Sequence, residues 1–302
     1  MNILIAPNDY YVMPSIVLLQ SLFDVAEEQL DIYLMYSALE KTNLDKLKGF
    51  IEQRGGIFHP VFVNAQAFDT ANVSGHITLE TYYRLLAQDL LPSELDRVLY
   101  LDADIIVAKS LRDFYNMPFE KADGTPCYYV VCEGPGISKR AWNVYDTLEI
   151  PYEYPYFNAG VLLINLSLLR KTFDTNTSLA YIRRKGKDLH NHDQDTLNAL
   201  FYDKVKYVDW HIYNQTILHI SDHQEAKLRL ENAKIIHYAG PDKPWNPAYS
   251  SWYFREFWEC ACRAGYTKLF VQIMLSRMQC KKIKPLVDAI RYKWRKLTGK
   301  EK

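Results

Sequence analysis

The first third of the chain alternates short apolar runs with longer segments of helical period, and this pattern limits the fold more than any other feature. The apolar runs are Asn2–Ala6, Asp31–Tyr36 and Ile57–Val63, and the helix-like segments between them are Ser15–Phe23 and Leu44–Gln53. Such alternation builds parallel sheets with helices packed on their faces. The sequence therefore predicts an α/β fold, and 302 residues suffice for one large domain and a tail.

The rest of the chain is less regular but continues to predict sheet and helix. The segment Thr78–Leu91 has helical period, and Arg97–Leu101 reads as a buried strand. Further strands are predicted at Tyr128–Val131, Gly160–Asn165, Val205–Val208 and Lys234–Tyr238, and further helices near Ser178–Lys185 and Gln194–Phe201. We expect a mixed central sheet that antiparallel strands complete, in a domain of residues 1–250, followed by a helical extension of residues 251–302.

The charge of the chain is unevenly distributed although its net value is zero. Residues 281–302 hold nine basic and two acidic side chains, a local charge of +7 that leaves −7 on the rest. In the same segment an apolar stripe follows helical spacing, formed by Ile283, Leu286, Val287, Ile290, Trp294 and Leu297. A basic amphipathic helix of this kind can lie on an anionic membrane, or it can pack on its own domain. An acidic body argues against nucleic acid as a partner.

The cysteines and the first residues predict a cytoplasmic protein. Five cysteines without a C-x-x-C pair indicate neither a zinc ribbon nor a disulfide framework. The chain opens on a strand-like run rather than on a charged leader with an apolar core, and no apolar run approaches the ~18 residues of a membrane span. We expect a cytoplasmic location, with peripheral contact to the inner membrane face through the basic tail.

An acidic pair, Asp102 and Asp104, follows directly after the strand Arg97–Leu101. Ligands of open α/β sheets bind at the carboxyl ends of strands, and two carboxylates there can hold Mg²⁺ or Mn²⁺ if a turn brings them together. An Asp-x-Asp triplet can equally just solvate a turn. Ile106 and Val107 stand where a calcium-binding EF-hand loop needs an oxygen ligand and a glycine. A phosphatase with Asp102 as nucleophile remains an alternative, although Ile106 fits that pattern poorly.

Six segments together resemble glycosyltransferase family 8, which includes bacterial α-galactosyl- and α-glucosyltransferases and glycogenin. In chain order they are ILIAPNDYY at Ile3–Tyr11, TYYRL at Thr81–Leu85, VLYLDADIIV at Val98–Val107, YFNAGVLLIN at Tyr156–Asn165, HDQDTLN at His192–Asn198 and IHYAGPDKPW at Ile236–Trp245. The resemblance implies a GT-A type, Rossmann-like domain that binds a nucleotide sugar.

The resemblance assigns the metal site to Asp102, Asp104 and His237, with Mn²⁺ as the expected ion and Mg²⁺ as the alternative. Such an ion would stabilise the negative charge that develops on the leaving UDP. Lys243 can support the same phosphates, and Gly240 would let the backbone approach them closely. From the residues alone, His237 could also be an ordinary histidine at a strand end.

The resemblance assigns the uridine to the amino-terminal segment and to the acidic turn. Ala6, Asn8 and Tyr11 match the residues that hold uracil and ribose in the family, and Ala103 joins the nucleotide-contacting turn. Asn8 departs from the family, which commonly has Asp there, but its amide oxygen can still accept a hydrogen bond from the uracil ring.

Four further residues are assigned to the donor sugar and the reaction. Arg84, in a predicted helix, would contact the donor and pair with the acidic site, or else face solvent. Asn158, expected just before a strand, would bind sugar hydroxyls, or else be a turn residue. Asp193 would bind sugar hydroxyls, or only cap a helix. Gln194 would lie opposite the leaving group, but a neutral amide is a poor nucleophile, so front-face attack with retention is favoured.

The sequence thus predicts a retaining, metal-dependent transferase that moves galactose or glucose from a UDP-sugar to a glycan or lipid-linked acceptor, in the synthesis of cell-surface polysaccharide. Three alternatives stay open: a primer that glucosylates itself as glycogenin does, an Asp-nucleophile phosphatase, and a non-catalytic sensor. Each predicts a different assay result.

Overall fold

The computed structural model of the protein describes residues 1–68, 79–133, 143–216, 223–247 and 254–277. The chain forms two compact units, Met1–Pro241 and Asp242–Lys302. The domain limits expected from the sequence, 1–250 and 251–302, stay a prediction. The basic amphipathic segment 281–302 lies outside the described residues.

The first unit is built on two sheets. Its strands are β1 (Asn2–Ile5), β2 (Asp31–Tyr36), β3 (Ile57–Phe62), β4 (Arg97–Leu101), β5 (Ile105–Val107), β6 (Tyr129–Glu133), β7 (Phe157–Asn165), β8 (Val205–Val208), β9 (Gln215–Thr216) and β10 (Ile235–His237). Seven of them form one sheet in the order β3-β2-β1-β4-β7-β6-β8, and the others form a small sheet in the order β5-β10-β9.

Short and medium helices connect the strands of this unit. The α-helices are α1 (Val12–Val25), α2 (Lys41–Gln53), α3 (Ala87–Leu90), α4 (Arg112–Tyr115), α5 (Val144–Leu148), α6 (Leu166–Thr172), α7 (Thr175–Lys185), α8 (Asp193–Phe201), α9 (Trp210–Tyr213) and α10 (His223–Asn232). In the described part of the unit, 3₁₀ helices lie at Asp9–Tyr11, Ala65–Phe68, Leu79–Leu86 and Gly186–Asp188.

Strand β1 lies in the middle of the parallel half of the large sheet. It pairs in parallel with β2 and β4, and its residues Ile3, Leu4 and Ile5 are fully buried. A strand covered on both faces has to be apolar throughout, which is why the opening run is continuous rather than alternating. Strand β7 then runs antiparallel to both β4 and β6. The expected mixed sheet is therefore confirmed.

Strand β7 carries an irregularity that matters for the site. Its register against β6 shifts, because Leu162 pairs with Val131 while Asn158 pairs with the next residue, Cys132. The three residues between Asn158 and Leu162 therefore form a bulge in the ladder with β6, although Val161 still pairs with Leu101 of β4, and bulges re-aim side chains. Asn158 lies inside the strand, so its expected place before the strand was wrong. The bulge interrupts the regular side-chain alternation, so the sequence pattern does not show where the strand begins.

A second correction concerns the segment expected to form one helix over Thr78–Leu91. Its described part is a 3₁₀ helix at Leu79–Leu86, followed by the single turn α3. Apolar residues spaced three apart fit both 3.0 and 3.6 residues per turn, so an apolar pattern of one or two turns does not separate the two helix types.

Two helical segments are described in the second unit. Helix α11 spans Phe254–Ala261, a π-turn follows at Cys262–Tyr266, and α-helix continues over residues 267–277. The π-turn contains Gly265 with φ of 94°, a value that favours glycine. The indole Nε1 of Trp258 donates to the carbonyl of Pro244 at 2.9 Å. Among the described residues, every helix is too short or too polar to cross a bilayer.

Candidate active site

The turn between β4 and β5 holds Asp102 and Asp104 at the carboxyl edge of the large sheet. The backbone N–H of Asp102 donates to the carbonyl of Gly160 at 2.8 Å. Strand β5 then pairs with β10, which sets His237 opposite Ile105. As a result the imidazole Nε2 of His237 lies 3.2 Å from Oδ1 of Asp104 and 3.9 Å from Oδ2 of Asp102. The turn and the small sheet thus bring the distant His237 beside the two neighbouring aspartates.

This trio fits a divalent cation of the Mg²⁺ or Mn²⁺ kind. One donor atom from each of Asp102, Asp104 and His237 lies within 4.8 Å of the others. Two carboxylates with one imidazole match ions that prefer oxygen and accept nitrogen. Gly160 keeps the space beside them open, since a Cβ there would lie 2.4 Å from Cε1 of His237 and 2.6 Å from Oδ2 of Asp102. The geometry is suited to metal binding, and the identity of the ion stays a prediction.

Arg84 joins the trio to a third carboxylate. Its Nη2 lies 3.2 Å from Oδ1 of Asp102, its Nε lies 3.0 Å from Oδ2 of Asp193, and its Nη1 donates to the carbonyl of Ala159. The guanidinium also lies over the ring of Tyr100, at 4.1 Å from the ring centroid. Burial alone would lower the pKa of Arg84, but the carboxylates of Asp102 and Asp193 outweigh it and raise the pKa. Arg84 is therefore a buried permanent cation, and the solvent-facing alternative is excluded.

Asp193 is the first residue of α8 and is only 3% exposed. Burial raises the pKa of this carboxyl to about 6, with Arg84 opposing the rise and Asp102 adding to it. Position N-cap is taken by His192 instead, so the interpretation of Asp193 as a helix cap was wrong. The carboxylates of Asp102 and Asp193 thus pair with one guanidinium while that of Asp104 faces His237, and the excess negative charge favours a cation beside them.

His192 enters α8 with a strained backbone. Its φ of 53° and ψ of −112° lie in a region that favours glycine, yet its side chain is fully buried. Such a conformation costs roughly 1–3 kcal/mol and persists only where the surrounding structure enforces it. The strain lies directly before Asp193 and Gln194, so it sets the direction in which both side chains leave the helix.

The side-chain amide of Gln194 forms hydrogen bonds with three neighbouring residues. Its Oε1 accepts from Nδ2 of Asn158 at 3.0 Å and from the N–H of Ala159 at 2.9 Å. Its Nε2 donates to the hydroxyl of Tyr156 at 3.2 Å, and that hydroxyl donates to Asp195 at 2.5 Å. Both acceptor positions of the amide oxygen are therefore already used. Tyr156 and Asp195 lie inside motifs noted in the sequence, but their supporting role was not predicted.

Asn214 is a further residue that the sequence did not single out for this site. It is fully buried, its Oδ1 lies 2.8 Å from Nδ1 of His237, and its Nδ2 donates to Oδ1 of Asn158 at 2.9 Å. It lies outside every motif of the resemblance. Its contacts reach 23 and 56 residues away in sequence, so no local signal identifies it.

The residues expected to hold uridine lie after β1. Ala6 follows the strand, and Asn8 caps the 3₁₀ helix Asp9–Tyr11, its Oδ1 accepting from the N–H of Tyr11 at 3.2 Å. Burial raises the pKa of Tyr11, and the charges of Asp104 and Asp102 raise it further. The phenol therefore stays protonated near the acidic pair and is a hydrogen-bond donor. Uridine binding by these three residues stays a prediction.

Three predicted site residues remain, namely Ala103, Gly240 and Lys243. Ala103 lies in the turn between the two aspartates and is half-buried. Gly240 has φ of 90°, a conformation that glycine adopts without strain. Lys243 is 5% exposed and belongs to the second unit. Contact of Gly240 and Lys243 with phosphate stays a prediction.

Known proteins share both this sequence pattern and this architecture. The sequence model described as Glycosyl transferase family 8 matches residues 2–248. General stress protein A of Bacillus subtilis is 27% identical over 236 residues, which cover 73% of this chain and 78% of that protein. A lipopolysaccharide 1,2-glucosyltransferase of Escherichia coli is 25% identical over 251 residues, which cover 79% of this chain and 71% of that protein.

A solved structure shows the same fold. The crystal structure of the galactosyltransferase LgtC in complex with donor and acceptor sugar analogs is similar with a TM-score of 0.74 at 24% identity, and the match covers 87% of this chain and 96% of that chain. The expected architecture is therefore confirmed. Because the family's sequence model spans most of the chain, the chain belongs to glycosyltransferase family 8 and has the GT-A fold.

Proposed function

We propose that this family 8 glycosyltransferase is metal-dependent and retaining, and that it moves galactose or glucose from a UDP-sugar to a hydroxyl of a glycan or lipid-linked acceptor. The observation that carries the proposal is the trio Asp102, Asp104 and His237, which Arg84 joins to the buried Asp193. The relatives support the choice of sugar, since one is named a glucosyltransferase and one a galactosyltransferase.

In this proposal the trio would hold Mn²⁺, with Mg²⁺ as the alternative. When bound, the cation supplies charge stabilisation for the diphosphate as the UDP leaves. Tyr11 would donate its hydroxyl toward the same region, because its pKa is raised by burial and by the two aspartates. Asn8 and Ala6 would hold the uracil and ribose, and Gly240 and Lys243 would support the phosphates.

The sugar would lie against the other half of the site. Asp193 would accept hydrogen bonds from sugar hydroxyls, and Arg84 would keep that carboxylate charged by pairing with it at 3.0 Å. Asn158 would read a further hydroxyl, because it offers both a donor and an acceptor group. Hexose epimers differ by the direction of one hydroxyl, so few contacts would decide between galactose and glucose.

We favour front-face transfer over a covalent enzyme intermediate. In that step the acceptor oxygen bonds to the anomeric carbon while the bond from that carbon to the β-phosphate oxygen breaks, and UDP leaves with the electron pair. The proton of the acceptor hydroxyl passes to the departing phosphate oxygen. Gln194 is poorly suited to attack, since its Oε1 already accepts from Asn158 and from the N–H of Ala159. It would instead fix the position of Asn158.

The test is UDP release from a panel of UDP-sugars with Mn²⁺, with Mg²⁺ and with chelator. The wild type is compared with the double variant Asp102→Asn plus Asp104→Asn. The matched control is Asp96→Asn, an exposed carboxylate before the amino end of β4. We expect one donor to be hydrolysed slowly in a metal-dependent way by the wild type and the control alone. Turnover that survives both the chelator and the double variant would refute the proposal.

The alternatives give different results in the same material. Self-glucosylation predicts that the intact mass of the protein grows on incubation with UDP-glucose alone. A phosphatase predicts a phosphoryl group trapped on Asp102 and release of inorganic phosphate. A sensor predicts that a UDP-sugar binds without any release of UDP at millimolar acceptor.

A further inference from the structure

Asn214 stands between the predicted metal ligands and the predicted sugar-binding amides. It follows the short helix α9 and precedes β9, and its backbone N–H donates to the carbonyl of Trp210 at 3.0 Å. This bond ends the helix and fixes the backbone. The side chain is fully buried, and it contacts a ring nitrogen on one side and an amide oxygen on the other.

The two contacts determine which atoms of Asn214 donate and accept. Its Nδ2 donates to Oδ1 of Asn158 at 2.9 Å, which leaves its Oδ1 facing Nδ1 of His237 at 2.8 Å. An amide oxygen only accepts, so Nδ1 of the imidazole must carry the hydrogen. In the neutral ring Nε2 then keeps its lone pair, and this nitrogen is the one that faces Asp104 and Asp102.

The same contacts extend to the other end of the site. Oδ1 of Asn158 accepts a second hydrogen bond, from the N–H of Gly160 at 2.9 Å, so its orientation is also fixed. Nδ2 of Asn158 donates to Oε1 of Gln194 at 3.0 Å. Three amides in series, those of Asn214, Asn158 and Gln194, therefore connect the imidazole of His237 to the start of helix α8.

We propose that Asn214 is a positioning residue with two duties. Through its Oδ1 it holds His237 in the tautomer and ring orientation that binds a divalent cation, and through its Nδ2 it holds Asn158 in place for the sugar. Hydrogen-bond partners of metal-bound histidines fix the tautomer and make the ring a better ligand. The inference rests on the proposed function for what the cation and the sugar do, but the tautomer does not depend on it.

Two substitutions separate the duties. Asn214→Leu has a similar shape and removes both hydrogen bonds. Asn214→Asp keeps an acceptor for Nδ1 of His237 but turns the donor toward Asn158 into an acceptor. The matched control is Asn165→Ala, at the opposite end of β7. It also removes two hydrogen bonds, because Nδ2 of Asn165 donates to the carbonyl of Cys127 and its Oδ1 accepts from the N–H of Leu168.

Affinity for Mn²⁺ is measured directly by electron paramagnetic resonance or calorimetry, and steady-state kinetics are measured with the donor that the wild type uses. We expect Asn214→Leu to bind Mn²⁺ about 10- to 100-fold more weakly. Asn214→Asp should bind it nearly as the wild type does, yet with a lower kcat because Asn158 is displaced. Asn165→Ala should lose stability alone. Wild-type Mn²⁺ affinity in a folded Asn214→Leu variant would overturn the proposal.

A second readout uses the metal-free protein. Nitrogen-15 NMR of the histidine rings reports which ring nitrogen carries the hydrogen in the neutral imidazole. We expect His237 to have it on Nδ1 in the wild type and in Asn214→Asp, and to shift toward the other tautomer in Asn214→Leu. A wild type that binds no Mn²⁺ but shows this pattern would defeat the proposed metal dependence and support the role of Asn214. A ring with its hydrogen on Nε2 in the wild type would overturn that role.

Discussion

Replacing Gly160 by alanine tests the site geometry with a single added methyl group. Gly160 lies in the bulged part of β7, and its carbonyl accepts from the N–H of Asp102. An added Cβ would lie 2.4 Å from Cε1 of His237, 2.6 Å from Oδ2 of Asp102 and 3.0 Å from Oδ1 of Asn158. The methyl group would therefore clash with two predicted metal ligands, His237 and Asp102, and with the side-chain amide of Asn158.

The magnitude follows from ordinary contact distances. Carbon atoms pack at about 3.5–4.0 Å, so the ring of His237 would have to move by about 1 Å. Metal–ligand distances tolerate changes of only about 0.2 Å, so one ligand would be lost or displaced. We expect Mn²⁺ affinity to fall at least tenfold and turnover to fall about 100-fold, since 1 Å of misplacement costs about that much. Overpacking should also lower stability by about 1–3 kcal/mol.

The assay pairs calorimetric Mn²⁺ titration with urea unfolding and UDP release. The matched control is Gly49→Ala in helix α2, where an added Cβ meets nothing within 4 Å. That variant should gain roughly 0.5–1 kcal/mol of stability and keep its Mn²⁺ affinity, because alanine is the better helix former. If Gly160→Ala binds Mn²⁺ and turns over like the wild type, the three groups do not form a site of the described geometry.

Three further predictions use the charges of the fold. Burial raises the pKa of Asp193 to about 6, so the folded protein keeps a proton on this carboxyl that the unfolded chain releases above about pH 4. Between pH 4 and 7 the wild type should therefore lose up to about 3 kcal/mol of stability relative to Asp193→Asn. A stability difference in urea unfolding that does not change with pH would contradict this. Arg84→Lys keeps the charge but not the fork that spans two carboxylates, so unfolding in urea should show a loss of about 1–3 kcal/mol and UDP release should fall. Arg170 donates to the backbone carbonyls of Gln88, Leu91, Pro92, Ser93 and Leu95, so Arg170→Lys should cost about 1–3 kcal/mol in urea while Mn²⁺ affinity stays unchanged; a lowered affinity would show that this cluster supports the site.

Buried strands with continuous apolar runs were predictable from the sequence. The bounds of Asp31–Tyr36, Arg97–Leu101 and Val205–Val208 are confirmed to the residue. The strands β5 and β9 were not predicted, because three and two residues are too few to show any period. They matter nonetheless, since the small sheet brings His237 beside Asp104.

The site was predictable only as far as its motifs extend. The acidic pair was predictable from its place after a buried strand, because ligands gather at the carboxyl ends of strands, whereas His237 was added to it only by the resemblance to family 8. The amides that hold the trio could not be found in this way. Asn214 has partners 23 and 56 residues away, and the bulge that aims Asn158 depends on pairing between β6 and β7. Such contacts exist only once the chain has folded.

The strained backbone of His192 has a consequence for how the protein could evolve. Glycine at this position would relieve roughly 1–3 kcal/mol of backbone strain, but it would also remove a fully buried imidazole that contacts the ring of Tyr82, and such a deletion costs roughly 2–5 kcal/mol. The same change would free the peptide bonds before Asp193 and Gln194 and loosen both side chains. Packing and activity therefore both oppose the relief of strain at this residue, and a selection for heat resistance would be expected to keep a large side chain there rather than glycine.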